Sequence, residues 1–258
     1  MVGVFRLFYS KKMKVIALIP ARYASTRLEG KPLKEIGGHP MIEWVYRRGV
    51  RALGKAVVAT DDPRIVEAVR AFGGEVVLTS TEHTSGTSRC IEALRAVESS
   101  TAERYDVVVN LQGDEPFLNE TPIQQLVQTF ENPSVDIATL VRPFHPDEEV
   151  TNPNAPKVVV DAQGRALYFS RSVIPYQRNK VDYPYLKHIG IYAFRSNTLR
   201  NLQSLAPSLL EQCEGLEQLG WLYHGLAIQT VTVADESTSV DTPEDLERAR
   251  SLAPNELF

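Results

Sequence analysis

The sequence predicts an α/β fold with a mainly parallel central sheet and a smaller antiparallel excursion. Short apolar runs, typical of buried strands, alternate with longer amphipathic segments over residues 14–141. Strands separated by helices of this length form βαβ units, in which the strands are parallel. A proline-rich segment with short strand patterns, residues 143–195, interrupts that alternation. We predict that this segment is the antiparallel excursion, which covers the pocket, pairs with a second subunit, or does both.

The elements follow from local patterns in chain order. The first strand is expected at 14–19, where Val15 begins an apolar run. Asp62-Pro63 and Thr121-Pro122 each place a capping residue before a proline, which marks the start of a helix. Further strands are predicted at 56–60, 75–78, 106–111 and 137–141, and helices at 41–53, 63–72, 87–98 and 122–130. The excursion contains strand patterns at 157–161, 166–170 and 189–194, and a last helix begins at Pro243.

Length and charge exclude several classes of protein. The 258 residues can form one large domain with a full core, and we predict a single domain over residues 13–258. Residues 1–12 are expected to lie outside the fold, as a disordered extension or an upstream start. The net charge of −4 argues against general binding of nucleic acid.

Neither a membrane nor an oxidising compartment is indicated. No apolar run approaches the ~20 residues that a membrane-spanning helix needs, and the first residues lack a secretory signal. Cys90 and Cys213 are far apart and have no metal-ligand spacing. We therefore expect a cytoplasmic protein without a membrane span.

The loop after the first strand, residues 20–33, suits a polyphosphate. Ligands of parallel sheets bind beyond the carboxyl ends of the strands, where cations and backbone N–H groups can converge. The loop is not a Walker loop, which would need Gly at Ser25 and Ser or Thr at Pro32. A basic surface loop is the alternative. The loop contains three cationic side chains, Arg22, Arg27 and Lys31.

Two aspartates are candidates for binding a divalent cation. Asp114 follows the strand at 106–111 on a glycine turn, and its carboxylate is of the kind that Mg²⁺ prefers. Thr242 has the pattern of an N-cap with Asp245 three residues on, which leaves Asp241 outside the helix. The alternatives are an ordinary Gly-Asp turn and a charge that favours the helix dipole by about 0.3–1 kcal/mol.

Three motifs resemble those of the 3-deoxy-manno-octulosonate cytidylyltransferases, and they run in the family's order. They are Pro20-Ala21-Arg22 through Gly30-Lys31-Pro32-Leu33, Gln112-Gly113-Asp114-Glu115-Pro116 and Val240-Asp241-Thr242-Pro243-Glu244-Asp245-Leu246. Further matches are His83 to Thr87, Asn152 to Ala155, Ala166 to Arg171, His188 to Tyr192 and Leu216 to Leu219. Two departures are Glu29, where the family commonly has Pro, and Ser88, where it commonly has an acidic residue. We expect Glu29 to face solvent.

The resemblance implies a Rossmann-like nucleotidyltransferase fold, a Mg²⁺ cofactor and a cytoplasmic homodimer. It implies the transfer of CMP from CTP to the anomeric hydroxyl of 3-deoxy-D-manno-octulosonate (Kdo), with release of pyrophosphate, for lipopolysaccharide biosynthesis. The catalytic residues would be Arg22, Lys31, Asp114 and Asp241, of which Asp114 and Asp241 would hold the metal. The nucleotide would be bound by Ala21, Arg22, Arg27, Lys31, Ser85, Gly86, Thr87 and Arg89. The sugar acid would be bound by Gln112, Arg171, His188, Tyr192, Glu217 and Gln218.

Each sugar candidate has a structural alternative. His188 could be a core histidine, Tyr192 hydrophobic filling, Arg171 a solvated charge, and Glu217 and Gln218 exposed helix residues. Other functions also stay open at this point. A cytidylyltransferase for 8-amino-Kdo, sialic acid or another sugar acid would share the first loop. A glycosyltransferase would consume a sugar nucleotide, and a noncatalytic nucleotide-sensing module would bind CTP without turnover.

Overall fold

The computed structural model describes residues 13–24, 28–234 and 239–253. The predicted extension at 1–12 and the loop residue Arg27 lie outside these ranges. The strands are β1 (Val15–Ala21), β2 (Glu35–Ile36), β3 (His39–Pro40), β4 (Ala56–Thr60), β5 (Val76–Leu78), β6 (Val107–Asn110), β7 (Ile137–Pro143), β8 (Lys157–Val160), β9 (Ala166–Ser170), β10 (Leu186–Arg195) and β11 (Ile228–Thr232). The helices are α1 (Met41–Leu53), α2 (Pro63–Ala71), α3 (Gly86–Thr101), α4 (Glu120–Gln128), α5 (Ser196–Leu202), α6 (Leu209–Glu214), α7 (Glu217–Tyr223) and α8 (Pro243–Leu252).

The predicted α/β class with a mainly parallel sheet is confirmed. The central sheet has the order β11-β7-β10-β6-β1-β4-β5. Its neighbouring strands are parallel except at β10, which runs antiparallel to both β7 and β6. The hairpin of β8 and β9 extends from the start of β10, where Leu186 pairs with Val158. A separate small hairpin joins β2 and β3.

The excursion is smaller than the expected 143–195, because its last predicted strand belongs to the central sheet. Residues 189–194 lie in β10, between β7 and β6. Ile191, Ala193 and Phe194 are fully buried there, so the strand is covered on both faces. Proline density indicates where the chain leaves regular structure, but it does not indicate where the returning strand inserts. The part that projects from the sheet is β8, β9 and their loops.

Helices cover both faces of the sheet. On one face, α1, α2 and α4 pack against alternate residues of the strands, such as Ala17, Ile19 and Val109. On the other face, α3, α5 and α7 pack against Ile16, Leu18 and their neighbours in β4 and β6. The sequence analysis did not predict α5, α6, α7 or β11. No helix in the described ranges has the length and apolarity to cross a bilayer.

The last helix lies beside the loop that follows β1. A third apolar cluster joins Val240 and Leu246 to Trp44 and Ile36, and Trp44 Nε1 donates to the Ile36 carbonyl over 2.8 Å. The cluster places the residues just before α8 next to the carboxyl ends of β1 and β6. It thereby brings residues more than 200 positions apart in the chain to one edge of the sheet, as the 210-residue separation of Lys31 and Asp241 shows.

Candidate active site

A cleft of about 370 Å³ lies at the carboxyl ends of β1 and β6 and the start of α3. Parallel sheets bind ligands at this edge, so the position agrees with the sequence-based prediction. Four separate stretches of chain form its walls. The lining residues are Pro20, Ala21, Arg22, Ala24, Lys31, Pro32, His83, Thr84, Ser85, Gly86, Arg89, Gln112, Gly113, Asp114 and Asp241.

Lys31 lies between the two predicted metal-binding carboxylates. Its Nζ is 2.7 Å from Asp114 Oδ2 and 3.1 Å from Asp241 Oδ1. The lysine begins a short 3-10 turn, Lys31–Leu33, preceded by Gly30 at φ 65°. A Cβ at Gly30 would come within 3.0 Å of the Tyr23 ring, so this turn requires glycine for both its conformation and its space. The loop thus directs one ammonium group to both acids.

Asp114 reaches the cleft because the turn after β6 passes close to the first loop. A Cβ at Gly113 would lie 3.0 Å from the Pro20 carbonyl oxygen, which leaves no room for a side chain. The Leu111 N–H donates to the Leu18 carbonyl over 3.0 Å, which continues the pairing of β6 with β1 beyond the strand. The close approach of the two loops fixes the carboxylate opposite Lys31.

Asp241 is held outside α8 by the cap of that helix. Thr242 Oγ1 accepts from the Asp245 N–H over 3.2 Å, and Asp245 Oδ2 accepts from the N–H groups of Thr242 and Asp241 over 3.1 and 3.2 Å. Burial disfavours the charged form of Asp245, but these hydrogen bonds outweigh it and lower the pKa of its carboxyl. Buried Val240 donates its N–H to the Asp114 carbonyl over 2.9 Å. The predicted capping box is present, and it leaves the Asp241 side chain directed at Lys31.

The two carboxylates fit a divalent cation with oxygen ligands. Both reach a single cationic nitrogen, so their oxygens already surround one position of positive charge. Their side chains keep 27% and 31% of their accessible surface, which leaves space for water and phosphate oxygens. In the described ranges no third His, Cys, Asp or Glu joins them to form a larger metal-binding group. Two carboxylates with the remaining positions open is a donor set that suits Mg²⁺.

The nucleotide candidates lie in the walls of the cleft, with two exceptions. Ala21, Arg22, Lys31, Ser85, Gly86 and Arg89 line it. Thr87 instead faces α7, where its Oγ1 donates to Glu217 Oε2 over 2.7 Å. Arg27 lies outside the described ranges.

Arg89 is tied into the cleft wall rather than left free. It is 3% exposed, and its guanidinium donates to Asp61 Oδ2 and Thr79 Oγ1, each over 2.7 Å. It therefore joins α3 to the loops that follow β4 and β5. Exposed Arg22, by contrast, extends from the end of β1.

His83 lines the cleft although the sequence analysis did not select it as a site residue. Its Nε2 lies in short contact with Glu92 Oε2, and its Nδ1 is 3.1 Å from Ser88 Oγ. The signal was available, since His83 begins one of the matching motifs. A histidine that precedes a capped helix is ambiguous in sequence, because it can serve the cap or the ligand.

Gln112 connects the cleft to an irregularity in β10. Its Nε2 donates to the Gly190 carbonyl over 2.8 Å. The register of β10 against β7 shifts between Ile189 and Tyr192, which is a β-bulge. Bulges redirect side chains and carbonyls near binding sites.

His188 and Tyr192 belong to a buried aromatic cluster. Their ring centroids are 5.3 Å apart, and Tyr192 also packs edge-on against Trp221 at 5.0 Å. Burial lowers the pKa of His188 from 6.5 to about 3, so its ring is neutral at neutral pH. Burial, with a further contribution from the charge of Glu217, raises the pKa of Tyr192. The rings of both residues are therefore packed among aromatic side chains.

Two polar atoms in this region have no hydrogen-bond partner among the described residues. They are the Tyr192 hydroxyl and Gln218 Nε2, both buried. An unpaired buried polar atom costs about 1–3 kcal/mol, which a polar ligand or water would remove. Packing alone leaves these two polar atoms without a partner among the described residues.

Arg171 lies apart from the lining of the cleft and holds loops together. Its Nε donates to the Glu214 carbonyl over 2.7 Å, its Nη1 to the Pro153 carbonyl over 2.9 Å, and its Nη2 to the Gly215 carbonyl over 3.3 Å. Gly215 immediately precedes Leu216, the N-cap of α7, so Arg171 positions the start of the helix that carries Glu217 and Gln218.

Comparisons with known proteins agree with this site. A family model described as cytidylyltransferase matches residues 16–254. A 3-deoxy-manno-octulosonate cytidylyltransferase of Phocaeicola vulgatus is 50% identical over 249 residues, which cover 93% of this chain and 97% of that protein. One of Escherichia coli with the same name is 45% identical, over 95% of this chain and 98% of its own. A solved structure of CMP:2-keto-3-deoxy-manno-octonic acid synthetase in complex with CTP is 44% identical, with a TM-score of 0.87 over 93% of this chain and 98% of its own.

Proposed function

The chain belongs to the cytidylyltransferase family, and we propose that it transfers CMP from CTP to the anomeric hydroxyl of Kdo. The products are CMP-Kdo and pyrophosphate, and CMP-Kdo serves lipopolysaccharide biosynthesis. One observation carries the proposal: Lys31, Asp114 and Asp241 meet at distances of 2.7 and 3.1 Å in the cleft beside Arg22. The similarity to relatives that bear this name supports the choice of substrates.

In the reaction, the hydroxyl oxygen on C2 of Kdo forms a bond to the α-phosphorus of CTP. The bond between that phosphorus and the oxygen leading to the β-phosphate breaks, pyrophosphate leaves, and the hydroxyl proton passes to water. Arg22 and Lys31 stabilise the negative charge that builds on the pyrophosphate. None of these steps needs a covalent intermediate with the protein.

Asp114 and Asp241 hold Mg²⁺ in this proposal. When bound, the ion lowers the pKa of the attacking hydroxyl and aligns the α-phosphate with it. In the structure Lys31 offsets the repulsion between the two carboxylates. With a cation held by these carboxylates, the Lys31 ammonium group would be available to the phosphates. Lys31 would thus pair with the two carboxylates when no cation is bound, and with the leaving pyrophosphate when one is.

Kdo occupies the region between the cleft and α7. Gln112, at the cleft, and the unpaired groups of Tyr192 and Gln218 supply hydrogen bonds to its hydroxyls. Glu217 lies beside them at the start of α7. Arg171 has N–H groups left beyond its three carbonyl contacts, and these bind the sugar carboxylate.

We also propose that the protein is a cytoplasmic homodimer. The projecting segment exposes three large apolar side chains in the single chain: Leu167 by 61%, Tyr176 by 87% and Val181 by 59%. Such exposure is typical of residues that are covered by a second subunit. Cys90 and Cys213 are unpaired thiols, which fits a reducing compartment. Sedimentation velocity measures the subunit number, and a monomer at micromolar concentration would contradict the dimer.

Pyrophosphate release tests the function. With CTP and Mg²⁺, we expect release that depends on Kdo, and less with sialic acid. Asp114→Asn should lower the rate by about 100-fold because it removes a metal ligand, while Glu244→Gln in the first turn of α8 serves as the matched control. Release without any sugar acid, or only with sialic acid, would contradict the proposal. An equal rate with 8-amino-Kdo would extend the substrate class.

A further inference from the structure

Thr139, in β7, lies beside His188 and is fully buried. Its hydroxyl oxygen is 2.8 Å from the Ile191 carbonyl oxygen, 3.2 Å from that of Ile189 and 3.0 Å from His188 Nε2. A hydroxyl has one proton to donate, and carbonyl oxygens accept only. Only a few placements of the hydroxyl proton and the ring proton are therefore possible.

The shortest contact decides where the threonine proton lies. If Thr139 donated to His188 instead, its lone pairs would face two carbonyl oxygens at 2.8 and 3.2 Å, which is repulsive. With its proton on the Ile191 carbonyl, the hydroxyl oxygen offers a lone pair to His188. The proton of the neutral ring must then be on Nε2.

The bulge in β10 creates this arrangement. The register of β10 shifts between Ile189 and Tyr192, and the carbonyls of Ile189 and Ile191 both turn toward Thr139. The carbonyl between them, that of Gly190, accepts from Gln112 in the cleft. One backbone irregularity thus serves both Thr139 and Gln112.

The other ring nitrogen of His188 is left as an acceptor. In the described part of the chain, Thr139 is the side chain's hydrogen-bond partner, and the remaining neighbours are the rings of Phe169 and Tyr192 at 5.0 and 5.3 Å. An unprotonated Nδ1 accepts hydrogen bonds from hydroxyls and cannot donate to a carboxylate.

We propose that Thr139 is a positioning residue that holds His188 in the Nε2–H tautomer, so that Nδ1 accepts a hydrogen bond from a hydroxyl of the sugar acid. His188 is one of the residues that the family resemblance assigns to the sugar acid, and this part of the proposal rests on the proposed function. The threonine's own role rests on the contacts of its hydroxyl. By fixing this tautomer, Thr139 makes Nδ1 of His188 favour a hydroxyl over the substrate's carboxylate.

Two variants separate this role from a packing role. Thr139→Val keeps the shape and removes the hydroxyl, whereas Thr139→Ser keeps the hydroxyl and removes a methyl group. Because one hydrogen bond is lost, we expect Thr139→Val to raise KM for Kdo by about tenfold, with KM for CTP changed by less than about twofold. Thr139→Ser should stay within about threefold of the parent for both substrates. A rise of both KM values in Thr139→Val, or no rise for Kdo, would overturn the role.

Nitrogen-15 NMR of the histidine rings tests the tautomer without any substrate. The His188 signals are identified by their absence in His188→Gln. We expect the Nε2–H pattern in the parent and in Thr139→Ser, and a mixture of tautomers in Thr139→Val. An Nδ1–H pattern in the parent would overturn the proposal. If the parent forms no CMP-Kdo, the proposed function fails, and the spectrum still decides the tautomer that Thr139 imposes.

Discussion

Single residues in this site have their chemistry set by two or three neighbours. Lys31 lies between Asp114 and Asp241, and Thr139 lies between two carbonyls and His188. The Lys31 ammonium group is paired with two carboxylates, and the Thr139 hydroxyl lies against hydrogen-bond acceptors and one donor. Substitutions at these positions remove a partner from a buried or partly buried group, which costs more than the lost contact alone.

His188 should make the protein less stable in mild acid. Its folded-state pKa of about 3 lies below the ordinary histidine value of 6.5, so only the unfolded chain takes up the proton between these two values. The contribution to stability is complete above pH 6.5 and decreases as the pH falls toward 3. Between pH 6.5 and 5, the loss should be about 2 kcal/mol in the free energy of unfolding.

Urea unfolding at a series of pH values measures this dependence, with His188→Gln as the comparison because it has no titrating ring. The two proteins are compared by the slope of the unfolding free energy against pH. The difference between their slopes isolates the titration of His188 from that of the other groups. Parallel pH profiles over pH 5–6.5 would contradict the buried neutral ring.

At the level of elements, helix ends and tight turns carry the site. The first loop presents Lys31 through the turn after Gly30, and the turn at Gly113 presents Asp114. The N-terminus of α8 presents Asp241 through its capping box. The hydrogen bonds of the cap fix the backbone of the residue one position before the helix, and this orients its side chain although the residue is not part of the helix.

Thr242→Ala should therefore affect the metal site as well as the helix. Loss of this N-cap costs about 1 kcal/mol of stability, and it also removes the hydroxyl that contacts Asp245 Oδ2, the acceptor of the Asp241 N–H. We expect the Mg²⁺ concentration for half-maximal pyrophosphate release to rise about threefold to tenfold, with KM for Kdo unchanged. Thr242→Ser keeps the hydroxyl and serves as the control. Equal Mg²⁺ dependence in the alanine and serine variants would show that the cap does not position Asp241.

For the whole molecule, the cleft exists only when distant parts of the chain are folded together. Its walls come from residues 20–24, 31–32, 83–89, 112–114 and Asp241. The α8 cluster and the parallel pairing of β1 with β6 hold these stretches at one edge. A ligand that contacts all of them binds the folded protein and not the unfolded chain.

CTP with Mg²⁺ should therefore raise the unfolding temperature. At a hundredfold excess over its dissociation constant the ligand adds about 2.7 kcal/mol, which corresponds to roughly 5–10 °C for a domain of this size. Arg22→Ala should lose most of this shift, because it removes a phosphate contact from the first loop. Arg178→Ala, at an exposed arginine of the projecting segment that does not line the cleft, should keep it. If Arg22→Ala showed the full rise in unfolding temperature, Arg22 would not belong to the nucleotide site.

Local patterns were enough for the longer elements of the first half of the chain and for one strand of the projecting segment. Helix α1, strand β4 and strand β9 begin and end at the predicted residues, because each has a clear apolar period and marked ends. Strand β11 was missed, since its short alternating run Ile228–Thr232 follows three short helices without long periods, of which only α6 has a side-chain cap. Strand β10 was predicted as a strand, but its place in the central sheet depends on pairing partners far away in sequence.

The sequence by itself determined the α/β class and the parallel core, and it identified candidate residues for binding phosphate and metal, because period, capping and side-chain chemistry are local properties. Only the tertiary structure decided that Asp114 and Asp241 meet on Lys31, that Arg89 and Arg171 support walls and loops, and that Thr139 faces His188. Those facts depend on the order of the strands, on the docking of α8 and on a bulge in β10, each of which results from packing between segments that are distant in the chain.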